Sequence, residues 1–170
     1  MKFNFYPIVL MLISTLFVAC KKDIEFDNAF SKSEKAWNRF KSAAGNSYQY
    51  MVNTVSWSGH STETTIVVTD GKVTGRSFLA LARQDANGQL EIRSMWREDT
   101  SDLNSHSEGA ESLTLDEIYA LAKNDLLKKR EDANTYFETQ NSGMISLCGY
   151  VSKACTDDCF TGIRIKYIER

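Results

Sequence analysis

The sequence predicts an α+β domain: an antiparallel sheet of about six or seven strands with one or two helices packed on one face. Three observations carry this. Two stretches with apolar residues at helical spacing, one near residues 31–44 and one from residue 115, flank a run of alternating, β-branched segments. Short turn signals join those segments, the strongest being Asp70-Gly71, a pair that favours a two-residue hairpin. The order is helix, four strands, helix, two or three strands, which implies helices lying across one face of an antiparallel sheet.

Taken in order, Ser31 or Ser33 can cap the first helix, with Glu34 in its first turn and Gly45-Asn46 ending it. Phe30, Trp37, Phe40 and Ala44 share one face, while Lys32, Lys35, Arg39 and Lys41 lie elsewhere. Residues 48–57 alternate, with Tyr48, Tyr50 and Val52 on one side, and residues 57–61 form a turn. Residues 64–69 are almost wholly β-branched, and the chain returns through residues 72–83. Asp85-Ala86-Asn87-Gly88 turns again, and Leu90, Ile92, Ser94 and Trp96 alternate beyond it. Four strands joined this way make a meander.

Residues 97–113 break the rhythm, with Glu98, Asp99, Asp102, Glu108 and Glu111 set among Ser, Asn and Gly. Loops longer than about 12–15 residues are uncommon in compact domains, so this one is expected to be functional or mobile. Thr114-Leu115-Asp116-Glu117 is a capping box. The helix it opens carries Leu115, Ile118, Leu121, Ala122 and Leu126 as its apolar stripe, with Lys128-Lys129-Arg130 at its end. Residues 135–139, 144–151 and 160–168 are the closing strands, the last with Ile163, Ile165 and Tyr167 alternating against Arg164 and Lys166.

The N-terminus reads as an export leader. Lys2 supplies the positive region, and residues 7–17 an apolar core of about a dozen residues. Crossing a bilayer takes roughly 20 apolar residues, and Asn4, Ser14 and Thr15 cut this run short. Leu16-Phe17-Val18-Ala19-Cys20 resembles a bacterial lipobox, although Phe17 stands where that pattern has leucine or a similar aliphatic. The resemblance implies cleavage before Cys20 and a diacylglyceryl thioether on its sulfur. Each buried methylene contributes about 0.8 kcal/mol, so two or three acyl chains hold where one does not. Lys21, in place of an aspartate, resembles lipoproteins sent to the outer membrane, and Lys22-Asp23-Ile24-Glu25 loosely resembles the export tags of surface lipoproteins in the Bacteroidetes. The alternative is an ordinary secretory signal in which Cys20 is incidental. The expected organisation is a leader over 1–19, the lipidated cysteine and a short tether over 20–28, and a single domain over 29–170.

With 20 Lys and Arg against 22 Asp and Glu, the formal net charge is −2. No basic stripe exists to hold a phosphate backbone, which argues against nucleic-acid binding. Composition is ordinary, without repeats or low-complexity segments, as a packed domain requires. Trp37, Tyr48 and Tyr50, Asp70-Gly71-Lys72-Val73 and Thr114-Leu115-Asp116-Glu117-Ile118 occur in an order that resembles an uncharacterised family of small Bacteroidetes-type lipoproteins. That resemblance implies the same helix, meander, helix and strands layout and carries no activity.

Cys148, Cys155 and Cys159 are candidates for a disulfide, because an exported chain favours oxidation. Once Cys20 is lipidated three thiols remain, so a single bridge leaves one over. Cys155, in the connecting loop, can reach either partner, and one bridge involving it is expected. The same thiols give an alternative function, a metal-binding or thiol-redox envelope protein. Cys155-x₃-Cys159 supplies only half a zinc site, however, and no activated thiol is marked. His60 and His106 fall in loops as solvated polar residues. Asp99, Asp102 and Asn104 lack the alternate spacing of a calcium loop. Trp57, Trp96, Glu98, Asp99 and Asp102 form a candidate binding surface, since rim tryptophans suit an interface. No phosphate cradle or nucleophile motif is present, so neither a catalytic residue, a metal nor a cofactor beyond the lipid on Cys20 is assigned. The expectation is a non-enzymatic, binding or inhibitor-like lipoprotein of the bacterial envelope, at the outer membrane on its periplasmic or surface face. It would meet the membrane through the lipid and an envelope or secreted protein through its domain.

Overall fold

The pleat and the turns together place almost every residue that matters. The computed structural model describes residues 24–83, 89–157 and 159–170; the leader, Cys20 and the turn expected at 85–88 lie outside them. Helix α1 (Asp27–Ala43) leads into strands β1 (Tyr48–Val55), β2 (Ser61–Thr69), β3 (Lys72–Arg83) and β4 (Leu90–Asp99). Helix α2 (Leu115–Leu121) continues through a π-helical turn (Ala122–Leu126) into β5 (Ala133–Glu138), β6 (Leu147–Ser152) and β7 (Phe160–Glu169). The seven strands form one sheet in the order β4-β3-β2-β1-β7-β6-β5, antiparallel throughout. The expected α+β architecture is therefore present, with the meander on one side and the closing strands on the other.

Register runs in rows across the meander, with shifts between Val67 and Val68 against β3 and between Ala80 and Leu81 against β4. The second sets Ile92 opposite Leu81 and so takes it off the face of Ser94 and Trp96, with which it was expected to alternate. Tyr50, Ile66, Arg76 and Glu98 are successive partners on the covered face. Val52, Thr64, Phe78 and Trp96 make the next row, followed by Thr54, Thr62, Ala80 and Ser94. The hairpin between β2 and β3 turns on Asp70 and Gly71, both at positive φ, the geometry that an Asp-Gly pair adopts most readily. A side chain at Gly71 would collide with Asn46, whose carbonyl accepts the Gly71 N–H at 2.9 Å.

The helices lie on that covered face. Phe30 and Trp37 of α1 and Leu115, Ile118, Tyr119, Ala122 and Leu126 of α2 and its π turn join Tyr48, Tyr50, Ile66, Val68, Cys148 and Ile165 in one buried cluster. The side-chain polar groups of Ser33, Trp37, Tyr48 and Tyr119 are paired within this core. The Trp37 indole N–H donates to Asp116 at 2.8 Å, tying the middle of α1 to the first turn of α2. Ser33 and Tyr119 share a hydroxyl bond of 2.8 Å. The Tyr48 hydroxyl accepts the Leu115 N–H at 2.9 Å, and burial pushes the Tyr48 and Tyr119 phenols up to about 12.

Four further expectations need correction. Helix α1 starts at Asp27, behind Phe26 in the left-handed conformation and without a side-chain cap, so neither Ser31 nor Ser33 caps it. Ser33 is drawn into the core because it falls on the stripe between Phe30 and Trp37. Residues 24–28 are not tether: Ile24 is buried and bridged to Lys128, and Glu25 N–H bonds Leu127 C=O at 2.8 Å. The capping box at Thr114 forms as read, yet α2 leaves α-helical geometry at Leu121, and Lys128, Lys129 and Arg130 lie beyond it. Strand β4 runs to Asp99, so the break in rhythm begins later than residue 97.

Burial separates the tryptophans sharply: Trp37 is 1% exposed and Trp57 77%. In urea unfolding, Trp37→Ala is expected to cost about 3–5 kcal/mol, as large core truncations do, and Trp57→Ala under about 1 kcal/mol. Equal losses in the two variants would show that the indole of Trp37 does not anchor α1.

Candidate functional site

The long connection from β4 to α2 is held by one buried carboxylate. Glu98 and Arg76 face each other across β3 and β4, and the pleat sends both side chains to the covered face. Glu98 is 1% exposed and Arg76 5%. The pair is bidentate, with Arg76 Nε to Oε2 at 2.9 Å and Nη2 to Oε1 at 3.0 Å. Glu98 also accepts the N–H of Asn104 at 2.9 Å and of His106 at 2.7 Å. The Ser105 hydroxyl adds a bond of 3.3 Å to Glu98. Arg76 gives two further donors to the carbonyls of His106, at 2.7 Å, and Ala110, at 3.0 Å. Two charges of opposite sign thus gather a stretch of loop backbone from both ends. The Arg76 guanidinium, ahead of the backbone donors, holds the Glu98 carboxyl well below the ordinary carboxylate range despite the opposing cost of burial.

Trp96 is packed into this arrangement. The His106 ring stacks on it at 4.4 Å between centroids, Phe78 lies at 5.3 Å, and the Arg76 guanidinium sits 4.7 Å from the ring centre. Farther along, Gly109 lies flat on the sheet at φ +87°, where an added Cβ would meet the Phe78 ring at 3.0 Å and the Thr64 hydroxyl at 3.1 Å. Thr64 accepts the Ala110 N–H at 3.0 Å, and Tyr50 donates to the Leu113 carbonyl. The loop is therefore seated on two successive rows of the sheet.

Between this loop, α2 with its π turn, and strands β1, β2 and β7 lies a cleft of about 700 Å³. Tyr50, Thr64, Phe78, Ile118 and Leu126 form its buried floor, and Thr54, Glu108, Glu111 and Asp125 are exposed around it. The π turn matters here, because one extra residue per turn brings Asp125 and Leu126 to the cleft beside Leu121. Clefts of 300–1,000 Å³ with apolar walls and a few polar groups are the usual form of small-ligand sites.

The sequence-derived candidates distribute unevenly. Glu98 belongs to the interior and is withdrawn from any binding surface; parity with Trp96 on β4 takes it inward. Trp96 is half-buried under His106. Asp99 and Asp102 are exposed, but their oxygens serve the turn: Asp102 accepts the Asp99 N–H at 2.7 Å, and Asp99 accepts the Ser101 N–H at 2.8 Å and hydroxyl at 2.7 Å. The Ser101 donors hold the Asp99 carboxyl below its usual range. Of the five residues, Trp57 is the large exposed aromatic. His60 is exposed, whereas His106 is enlisted, its Nδ1 3.0 Å from Glu98. Reading missed Arg76, Thr64 and the cleft. The available signal was parity, since Arg76 shares the alternation of Phe78, Ala80 and Ala82 and so points inward.

Cys155 pairs with Cys159 across the β6–β7 connection, with Cα atoms 6.2 Å apart, which resolves the open choice of mate. Cys148 is free and fully buried opposite Ile163, and burial pushes its thiol up to about 12. Four rungs of the β6–β7 ladder, about 13 Å, separate Cys148 from the level of Cys159, so the three sulfurs do not converge.

Comparison with known proteins returned no match: no family model, no curated protein and no solved structure matches this chain.

Two outcomes follow from this chemistry. Because folding lowers the Glu98 pKa, its stabilisation is complete above the ordinary carboxyl value of 4.5 and is lost as pH falls below it. Glu98→Gln, which strands a buried guanidinium, is expected to cost about 3–5 kcal/mol at pH 7, with the deficit narrowing below pH 4. A deficit that is absent at pH 7, or unchanged in acid, would contradict this role. Differential alkylation with peptide mapping should label Cys148 only after denaturation, and Cys155 and Cys159 only after reduction. Labelling of native Cys148 at pH 8 would show an accessible thiol.

Proposed function

We propose that this chain is a lipid-anchored, non-enzymatic module of the bacterial envelope that binds another protein through the uncovered face of its sheet. The observation that carries the reading is a group of apolar side chains at one end of that face, exposed at Val55, Ile92 and Met95 and half-buried at Leu79 and Leu81. Val55, Ser61, Leu81 and Ile92 are successive cross-strand partners, pointing away from the helices. Leu79 and Met95 pair in the next row, and Trp57 stands in the adjoining β1–β2 turn. Val55 is 68% exposed, Ile92 57% and Met95 72%. Single exposed apolar residues are ordinary, but neighbours on one flat face suit an interface.

Anchoring rests on the lipobox-like leader and Cys20, and the resemblance to Bacteroidetes-type lipoproteins points to the same compartment. The thiol alternative draws no support from a buried Cys148 held apart from a paired Cys155 and Cys159.

The test has two arms. Cys20→Ser should release the protein from membranes and abolish palmitate labelling. The Ile92→Glu, Met95→Glu variant, with unchanged circular dichroism and lipidation, should lose the crosslinked partner recovered from intact envelopes. Membrane retention of an unlabelled Cys20→Ser protein would remove the anchor; an unchanged set of crosslinked partners would remove the interface.

A further inference from the structure

The cleft on the covered face is chemically distinct from the proposed protein-binding face, and it is lopsided in charge. Its walls include Val52, Phe78, Leu113, Ile118, Leu121 and Ile163, all apolar. Its charged lining residues are Glu108, Glu111 and Asp125, and no lysine, arginine or histidine lines it among the described residues. Asp125 is met by Arg130 at 2.6 Å, from outside the lining, whereas among the described residues Glu108 accepts a neutral hydroxyl, from Ser94, at 3.2 Å. Thr54 and Thr62 place two hydroxyls 2.6 Å apart beside the apolar floor. A ligand entering this space meets an apolar body site first by area and a carboxylate mouth first by charge.

We propose that the cleft binds a small organic cation: a ligand with an apolar body of ring or short-chain size and one ammonium or guanidinium group at Glu108 and Glu111. The apolar walls supply affinity by burial, and the carboxylates select the sign of charge. An apolar cleft in an envelope protein invites comparison with a fatty-acid site, and the mouth opposes it. A carboxylate guest would bring a third like charge to Glu108 and Glu111, with no cation in the lining to receive it. The loop wall that carries Glu108 to Glu111 is set by the Arg76–Glu98 pair, so the site is built into the fold and does not await a ligand to assemble it.

The experiment titrates the purified full chain at low salt with three probes of one shape, 4-phenylbutylamine, 4-phenylbutanol and 4-phenylbutanoate, followed by calorimetry and ligand-observed NMR. The amine is expected to bind about five- to tenfold more tightly than the alcohol, the carboxylate weakest, and only the amine should weaken with added salt. Glu108→Gln with Glu111→Gln, both at exposed positions, should bring the amine down to the alcohol and leave the alcohol unchanged. Leu121→Trp, which fills the cleft, should abolish both. Binding of the carboxylate as tight as the amine, amine binding indifferent to the Gln variants, or no binding of any probe at millimolar concentration would overturn the proposal.

Discussion

The buried pair of Arg76 and Glu98 is the constraint from which the distinctive half of this molecule follows. Neither residue is unusual in its strand, but the register of β3 and β4 sets them opposite each other and the pleat turns both under the loop. Two ions removed from water are costly, and their attraction alone seldom compensates. Here the compensation is completed by backbone: two N–H groups and a hydroxyl fill the carboxylate, and two carbonyls fill the guanidinium. The groups that satisfy the pair are the loop. What the pair contributes is position more than net stability, because an apolar replacement could pack as well and would hold no carbonyl in place.

From that position the rest of the cleft wall is derived. His106 and Trp96 stack above the pair, Gly109 presses onto Phe78 and Thr64, and Ala110 hangs from the Thr64 hydroxyl. The chain then reaches the capping box at Thr114 with its direction already fixed by Tyr50 and Tyr48, which hold Leu113 and Leu115. A long connection that has neither helix nor strand is thus as firmly tied to the sheet as an element would be. The sheet consequently presents two different faces: a charged-mouthed apolar cleft under the loop and helix, and an open apolar group on the opposite side.

Much of this was legible in the residues, and the exceptions have physical reasons. Alternation placed the strands, Asp70-Gly71 placed the hairpin, and the capping box placed α2, because each is a local preference that the fold does not override. The start of α1 was obscured because Phe26, which carries the left-handed turn, is neither glycine nor a capping residue. The same region hides Ile24, whose burial depends on a contact with Leu127 and Lys128 more than 100 residues away. Acidic, serine-rich composition without periodicity made residues 97–113 read as a long functional or mobile loop, and composition does not reveal that one carboxylate among five is paired inside. Parity on β3 would have exposed Arg76 as an inward cation in need of a partner, and β4 is where that partner had to be. The cysteine pairing turned on the β6–β7 connection, whose geometry sequence spacing left open.

The most direct measurement of this account is native-state hydrogen exchange at the Asn104 and His106 amides, whose N–H groups end on Glu98. If the buried pair holds the loop, both amides exchange as slowly as those in the middle of β4, and Glu98→Gln speeds the pair without matching changes in β1 and β2. Exchange at the rate of an unstructured chain in the wild-type protein would contradict it.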